Sequence, residues 1–571
     1  MARRERIVFD LVEGERTVSG DDDGEDRADQ PRSAGSELLR GLGASVVSGA
    51  ARAWGWVSRH RMVSLVAAGA TAALLVSSVA VGNAREQERL DLLGTAPGGV
   101  ASLADPPTET WRYAPGGDTN LVGRYGFDVG AVVMGPNVVF LEGDQSGVNK
   151  SALGSADTRI RWREADLVAV NAESGEESWR VPLGVDPECT TPGAGGASRV
   201  LEEMVCLAGR SDARGVVVVT ATGESAGPRR LARDESLSEE VLPAGNGLLF
   251  RARVEGDTPR INCSEAVMVP LACTVVGSTP DRTLVVRAED ARSGEEVWRR
   301  EVPWTGDLGE CWRNIVGDDR TDDVPPPGPG GQLSIWNWGA MVHVRTCGIA
   351  AAFRPDGTVT PGGTPIAGEE LIAEQVYDPE RDMLSTTIWD TAGEQVLTTD
   401  GWVSEGEATD GTPSDVFVIR GSGNDLAQGY RRDGTRVWEA EGSGVLVARV
   451  GDIGMLQEFV TSLRGIDLRT GRTLWEQDGL DAGLARSETA TLPFTDGTTV
   501  MLAQVGTRSS TASDEAGSVV SAAPGGTRLL AVDARTGRIR WSAERDDLVW
   551  FAAAGRLLSV TRDGSLAGHD G

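Results

Sequence analysis

Beyond the N-terminal hundred residues, short apolar runs alternate with polar, glycine-rich breaks, and no stretch carries a convincing helical period. Leu-Val-Ala-Val before Asn171 and Leu-Leu-Ala-Val before Asp533 read as half-buried or central strands. So do 132–141, 216–220, 247–251 and 444–450, each next to a glycine-rich turn. The pattern predicts an all-β fold.

One phrase recurs within that pattern. Residues 463–475 read LRGIDLRTGRTLW, 529–541 LLAVDARTGRIRW, 167–179 LVAVNAESGEESW and 286–298 VRAEDARSGEEVW. Each places Asp or Asn four residues before a Gly, and Trp four residues after it. The sets are Asn171/Gly175/Trp179, Asp290/Gly294/Trp298, Asp467/Gly471/Trp475 and Asp533/Gly537/Trp541. A fifth copy keeps Gly434 and Trp438. The short polar side chain can cap a turn, and Gly there accepts positive φ. The residues up to Trp form the returning strand. A lone hairpin cannot bury its own faces, so the copies must stack.

This unit resembles the quinoprotein (PQQ-type) β-propeller repeat, roughly A-x-D-x-x-T-G-x-x-x-W, over about 110–571. The resemblance implies four-stranded blades with each Trp docked between neighbours. It makes 216–231, 350–360 and 386–398 degenerate copies, which keep Gly223, Gly357 and Gly393 without a Trp four residues later. The sequence stops at Leu566-Ala-Gly-His-Asp570-Gly571, aligned with Leu463–Leu468, so the last copy lacks its turn and Trp strand. Thr110-Trp111-Arg112-Tyr113 matches the missing strand. A ring closed by its two ends leaves no free central edge. The expected count is eight blades, with seven as the alternative.

Residues 62–84 carry no charge and, at about 1.5 Å per residue, would be long enough to cross a bilayer. Arg52, Arg59 and Arg61 precede them, which places the N-terminus in the cytoplasm and the propeller outside. A cleaved signal peptide is the competing reading, through the small residues at 82–84. Residues 1–61 hold ten Arg and eleven Asp or Glu without a core pattern and are expected to be a disordered cytoplasmic tail. Residues 85–108 are expected to be a stalk, with the propeller over 109–571.

Composition narrows the functional classes. The net charge is −30, and almost all of it falls outside the tail, which disfavours nucleic acid as a partner. The six cysteines, Cys189, Cys206, Cys263, Cys273, Cys311 and Cys347, all lie in the repeat region. An even count there fits disulfides in an oxidising compartment. Of fifteen pairings, the local set 189–206, 263–273 and 311–347 is preferred.

The resemblance also implies one chemistry to test, a dehydrogenase using pyrroloquinoline quinone with Ca²⁺ and an Asp base. Such enzymes often hold the quinone against adjacent cysteines, and this sequence has none, nor a CxxCH haem motif or CxxC zinc spacing. The acidic run Asp318–Asp323 lacks the central Gly and alternating ligands of a calcium loop. Trp304, Trp312, Trp336 and Trp338 stand outside the repeat register and could line a binding face. No nucleophile–base arrangement or phosphate loop emerges, so no catalytic residue, metal or cofactor is assigned. The expected function is a non-catalytic, membrane-anchored propeller displayed in the cell envelope, binding or scaffolding a protein partner. It is similar in this to assembly lipoproteins of the same repeat family. The alternative is the quinone-dependent dehydrogenase.

Overall fold

The computed structural model describes residues 84–121, 132–148, 160–190, 200–210, 214–231, 240–256, 261–263, 273–275, 282–303, 333–338, 341–346, 349–360, 364–366, 371–378, 383–390, 392–404, 406–421, 426–442, 444–458, 462–478, 491–508 and 523–571. Among them, nine sheets are built on four-stranded antiparallel meanders. In chain order, blade 1 spans 132–184, blade 2 188–230, blade 3 240–303, blade 4 334–360 and blade 5 364–400. Blade 6 spans 402–441, blade 7 445–478 and blade 8 491–545. Blade 9 takes three strands from 549–570 and its fourth, Thr108–Tyr113, from the other end of the chain.

Two blades carry additions at their inner edge. Asp118–Thr119 pairs with blade 1, and Ala408–Thr409 runs parallel to the first strand of blade 7. A two-stranded hairpin, Ile261–Cys263 with Cys273–Val275, lies within the long connection of blade 3.

Each sheet alternates its apolar side chains toward two neighbours, so the core lies in the seams between blades. Among the described residues nine buried apolar clusters form, each shared by consecutive blades. Val168 and Val170 of blade 1 meet Leu558 and Val560 of blade 9, which makes the order circular. The smallest cluster joins blades 4 and 5 through Met341, Ala352 and Ile372, with Trp389 packed on it.

Three sequence expectations change. The count is nine sheets, above the eight or seven expected. As expected of degenerate copies, 216–231, 350–360 and 386–398 each belong to a complete blade, because strand pairing and seam packing persist without the signature Trp. The expected membrane-crossing helix is also corrected: among the described residues no helix is long and apolar enough to cross a membrane. The helix over 84–95 is about 18 Å long and carries Arg85, Glu86, Glu88, Arg89 and Asp91. Residues 62–83 and the tail lie outside the described set.

Finally, residues 85–107 pack on the ring and do not form a free stalk. Leu93, Val100 and Leu103 are buried. Val100 N donates to Thr495 O at 2.9 Å, Ala101 N to Gly555 O at 2.8 Å, and Thr409 N to Pro97 O at 2.8 Å. This strap lies on the face that carries the tight turns.

Candidate functional site

The recurring Asp or Asn caps its turn. Asn171 Oδ1 accepts from the N–H groups of Glu173 and Ser174 at 2.9 and 3.0 Å, and Asp290 Oδ1 from those of Arg292 and Ser293 at 3.1 and 2.7 Å. Asp467 and Asp533 repeat the geometry on 469–470 and 535–536. A capped turn presents its Gly flat to the preceding blade, with φ of +72° at Gly175 and +70° at Gly471.

The Trp of the preceding blade lies on that Gly. Trp179 Nε1 donates to Ala221 O at 3.0 Å, Trp298 to Pro355 O at 2.8 Å, Trp438 to Leu468 O at 2.5 Å and Trp475 to Ala534 O at 2.9 Å. Each bond satisfies an indole donor that burial would otherwise leave unpaired. Gly223, Gly357, Gly471 and Gly537 receive these rings so closely that an added Cβ would come within 2.5 to 2.8 Å of them. Gly434 instead receives Val396 of blade 5, and Trp438 goes on to dock at Gly471.

One substitute was invisible to the repeat pattern. In blade 2 the docked residue is Arg229, whose guanidinium covers Gly294 and donates through Nε to Ala291 O at 3.2 Å. Glu289 pairs with Arg229 at 3.1 Å and with the buried Arg251 at 2.9 Å. A cation thus takes the place of the indole and brings its counter-ion with it. No aromatic period marks it; the only hint was the retained glycine turn.

Closure uses both chain ends. Thr108–Tyr113 pairs antiparallel with Leu566–Asp570, Trp111 opposite Gly568 and Thr108 opposite Asp570. The last turn of the ring, missing from the C-terminal copy, is supplied by the strap: Trp541 Nε1 donates to Leu103 O at 3.0 Å. Tyr113 then reaches blade 1, where its hydroxyl donates to Glu142 Oε2 at 2.8 Å. Burial and the Glu142 bond push the Tyr113 phenol well above its ordinary range. Arg180 neutralises that group, contacting Glu177 at 2.8 Å, Asp166 at 3.2 Å and Glu142 at 3.4 Å.

Cys189 and Cys206 are joined by a disulfide between the first two strands of blade 2. Cys263 and Cys273 are backbone register partners in the hairpin. Cys311 and Cys347 lie outside the described residues, as do Trp304, Trp312 and the run 318–323. Trp336 stacks on His343 with centroids 5.4 Å apart, and Trp338 ends the first strand of blade 4.

Among the described residues no group of three or more His, Cys, Asp or Glu is placed to hold a metal. Asp547, Ser559 and His569 do form a chain, but the hydroxyl sits between carboxylate and imidazole. Activating a nucleophile needs the imidazole in the middle, and Ser559 is fully buried.

The model for a repeat family described as outer membrane protein assembly factor BamB matches residues 384–545 and 461–571. No curated protein matches the chain. Solved structures similar to it include BamB from Moraxella catarrhalis, at 11% identity over 82% of this chain and 100% of that one, with a TM-score of 0.33. A europium-containing methanol dehydrogenase is 12% identical over 70% and 85%, TM-score 0.29. Saccharomyces cerevisiae Sqt1 is 9% identical over 81% and 99%, TM-score 0.32. At such scores these three likenesses carry no argument about activity.

Proposed function

Starting from a chain that belongs, through its repeats, to the PQQ-like repeat family, we propose that it is a non-catalytic binding platform of the cell envelope, holding a protein partner on one face of its ring. The observation that carries this reading is the closure of blade 9 by Thr108–Tyr113, backed by the Trp111 dock, which makes a ring without a free central edge. Rigid rings of this kind suit binding because loops vary freely on a fixed frame.

The two faces divide the work. The capped turns and the strap occupy one. The strands flanking the long connections 149–159, 257–281, 304–333 and 509–522 end at the other. That second face is the one we assign to the partner. The Cys189–Cys206 disulfide supports an oxidising compartment, and the family description supports an envelope setting.

The test is to add pyrroloquinoline quinone and Ca²⁺ to the purified full-length protein. Passage through gel filtration without retained quinone absorbance, together with no dye-linked alcohol or sugar oxidation, is expected. Retained quinone with turnover would replace the platform by a quinone-dependent oxidoreductase.

A further inference from the structure

His569, in the third strand of blade 9, is 7% exposed. Its ring lies 4.5 Å from that of Trp550. Trp550 in turn packs with Val100 and Leu103 of the strap and with Phe494 and Met501 of blade 8. Two residues further on, Gly571 lies against Ser102, Leu103 and Asp105. The last strand, the strap and blade 8 therefore converge around one imidazole.

The hydrogen bonds fix the proton on that ring. Ser559 Oγ donates to Asp547 Oδ1 at 3.1 Å. A hydroxyl has one proton to give, so at 2.8 Å it can only accept from His569 Nε2. Nδ1 is buried with no partner among the described residues. A second proton would have to enter there, creating a cation without an acceptor in an apolar seam.

The charged neighbours do not rescue it. Glu109, the register partner of His569, favours a charged ring, and Arg545 and Arg112 oppose one. Asp547 already accepts from Ser559, and Asp570 is largely exposed. Burial dominates and holds the imidazole pKa down at about 4.

We propose that His569 is an acid-operated latch: on taking a second proton it releases the last strand and the strap, opening the seam between blades 8 and 9 while the remaining seams stay shut.

The direction follows from linkage. The folded ring binds this proton more weakly than the unfolded chain, whose imidazole titrates near 6.5. The stabilisation is therefore complete above pH 6.5 and is lost as pH falls toward 4. Over that window the opening equilibrium shifts by at most about 300-fold. Asp547, whose carboxyl pKa is raised by burial, works in the opposite sense as acid increases.

The test is amide hydrogen exchange of the full chain at pH 7.5 and 4.5, corrected for intrinsic exchange. In the wild type, protection over 97–113 and 557–571 should fall about ten- to hundredfold, while 342–346 and 349–353 in the seam of blades 3 and 4 change less than about threefold. His569→Gln keeps a donor for Ser559 and cannot titrate, so its protection should be nearly pH-independent. An Nδ1 or Nε2 nuclear resonance titration of wild-type His569 stands apart from any variant's folding. A midpoint at or above 6.5, an unchanged acid response in His569→Gln, or uniform loss at every seam would each overturn the latch.

Discussion

Trp111 is held between Gly568 of its own blade and Gly175 of blade 1. An added Cβ would come within 2.1 Å of the indole on one side and 2.4 Å on the other. No larger residue fits either position, so the two ends of the chain and the first blade are keyed by one ring. Trp111→Ala should cost about 3–5 kcal/mol, as large-to-small aromatic changes in cores do. Deleting 557–571 should be comparably harmful, with the two losses well short of additive because they empty the same blade. Urea unfolding of the full chain checks this; wild-type stability in Trp111→Ala would show the ring to be keyed elsewhere.

Gly175→Ala follows from the same sandwich. The new methyl faces a positive φ and a clash with the Trp111 ring, together about 2–4 kcal/mol. In the Trp111→Ala background only the backbone part, about 1 kcal/mol, should remain. A double-mutant cycle by thermal unfolding gives the difference, and full additivity would separate the two residues.

Glu289→Ala should cost more than Arg229→Ala. Removing the carboxylate takes a counter-ion from Arg251, which is 1% exposed, and breaking a buried pair from one side costs about 3–5 kcal/mol. Removing Arg229 leaves Glu289 its Arg251 contact, so the loss should be smaller. The order of the two urea midpoints decides; the reverse order would show that the dock outweighs the ion pair.

The disulfide in blade 2 closes a loop with a sequence separation of 17. On loop-entropy grounds its removal should cost about 3 kcal/mol. Reductant should lower the unfolding temperature of the wild type more than that of a Cys189→Ser/Cys206→Ser protein. Equal shifts in both would place the reductant's effect at another pair.

Much of the ring could be read directly. Strands, capped turns and the docking of Trp179, Trp298, Trp438 and Trp475 all follow from a four-residue spacing on either side of a glycine. So does the C-terminal copy's need for Thr110–Tyr113, which the structure extends to Thr108. What escaped has a common cause. Arg229 docks through a carbonyl bond that any long donor can make, and Trp389 fills the blade 4–5 seam from the opposite side, so neither keeps the spacing. The strap escaped because its hold is backbone to backbone, through Val100, Ala101 and Leu103, and such bonds leave no side-chain signature. The blade count fell short because the copies at 216–231, 350–360 and 386–398, which lack the Trp, do not each announce a full blade in the sequence. His569 was visible only as a rare residue type; its partners, Ser559 and Asp547, are set by pairing across the sheet.

Closure by the two chain ends also dictates when the molecule can become itself. Thr110 bonds Gly568 across 458 positions of sequence, so the first strand among the described residues is also among the last to find its place. Synthesis proceeds at roughly 5–20 residues per second, leaving that strand without its neighbour for about half a minute or more. Throughout that interval blade 1 waits with an uncovered apolar flank, Val168 and Val170 among it, in a nascent chain with high contact order. Completion therefore waits on the synthesis of Leu566–Asp570, and a product truncated before them would retain eight blades and a sticky, unsealed wall.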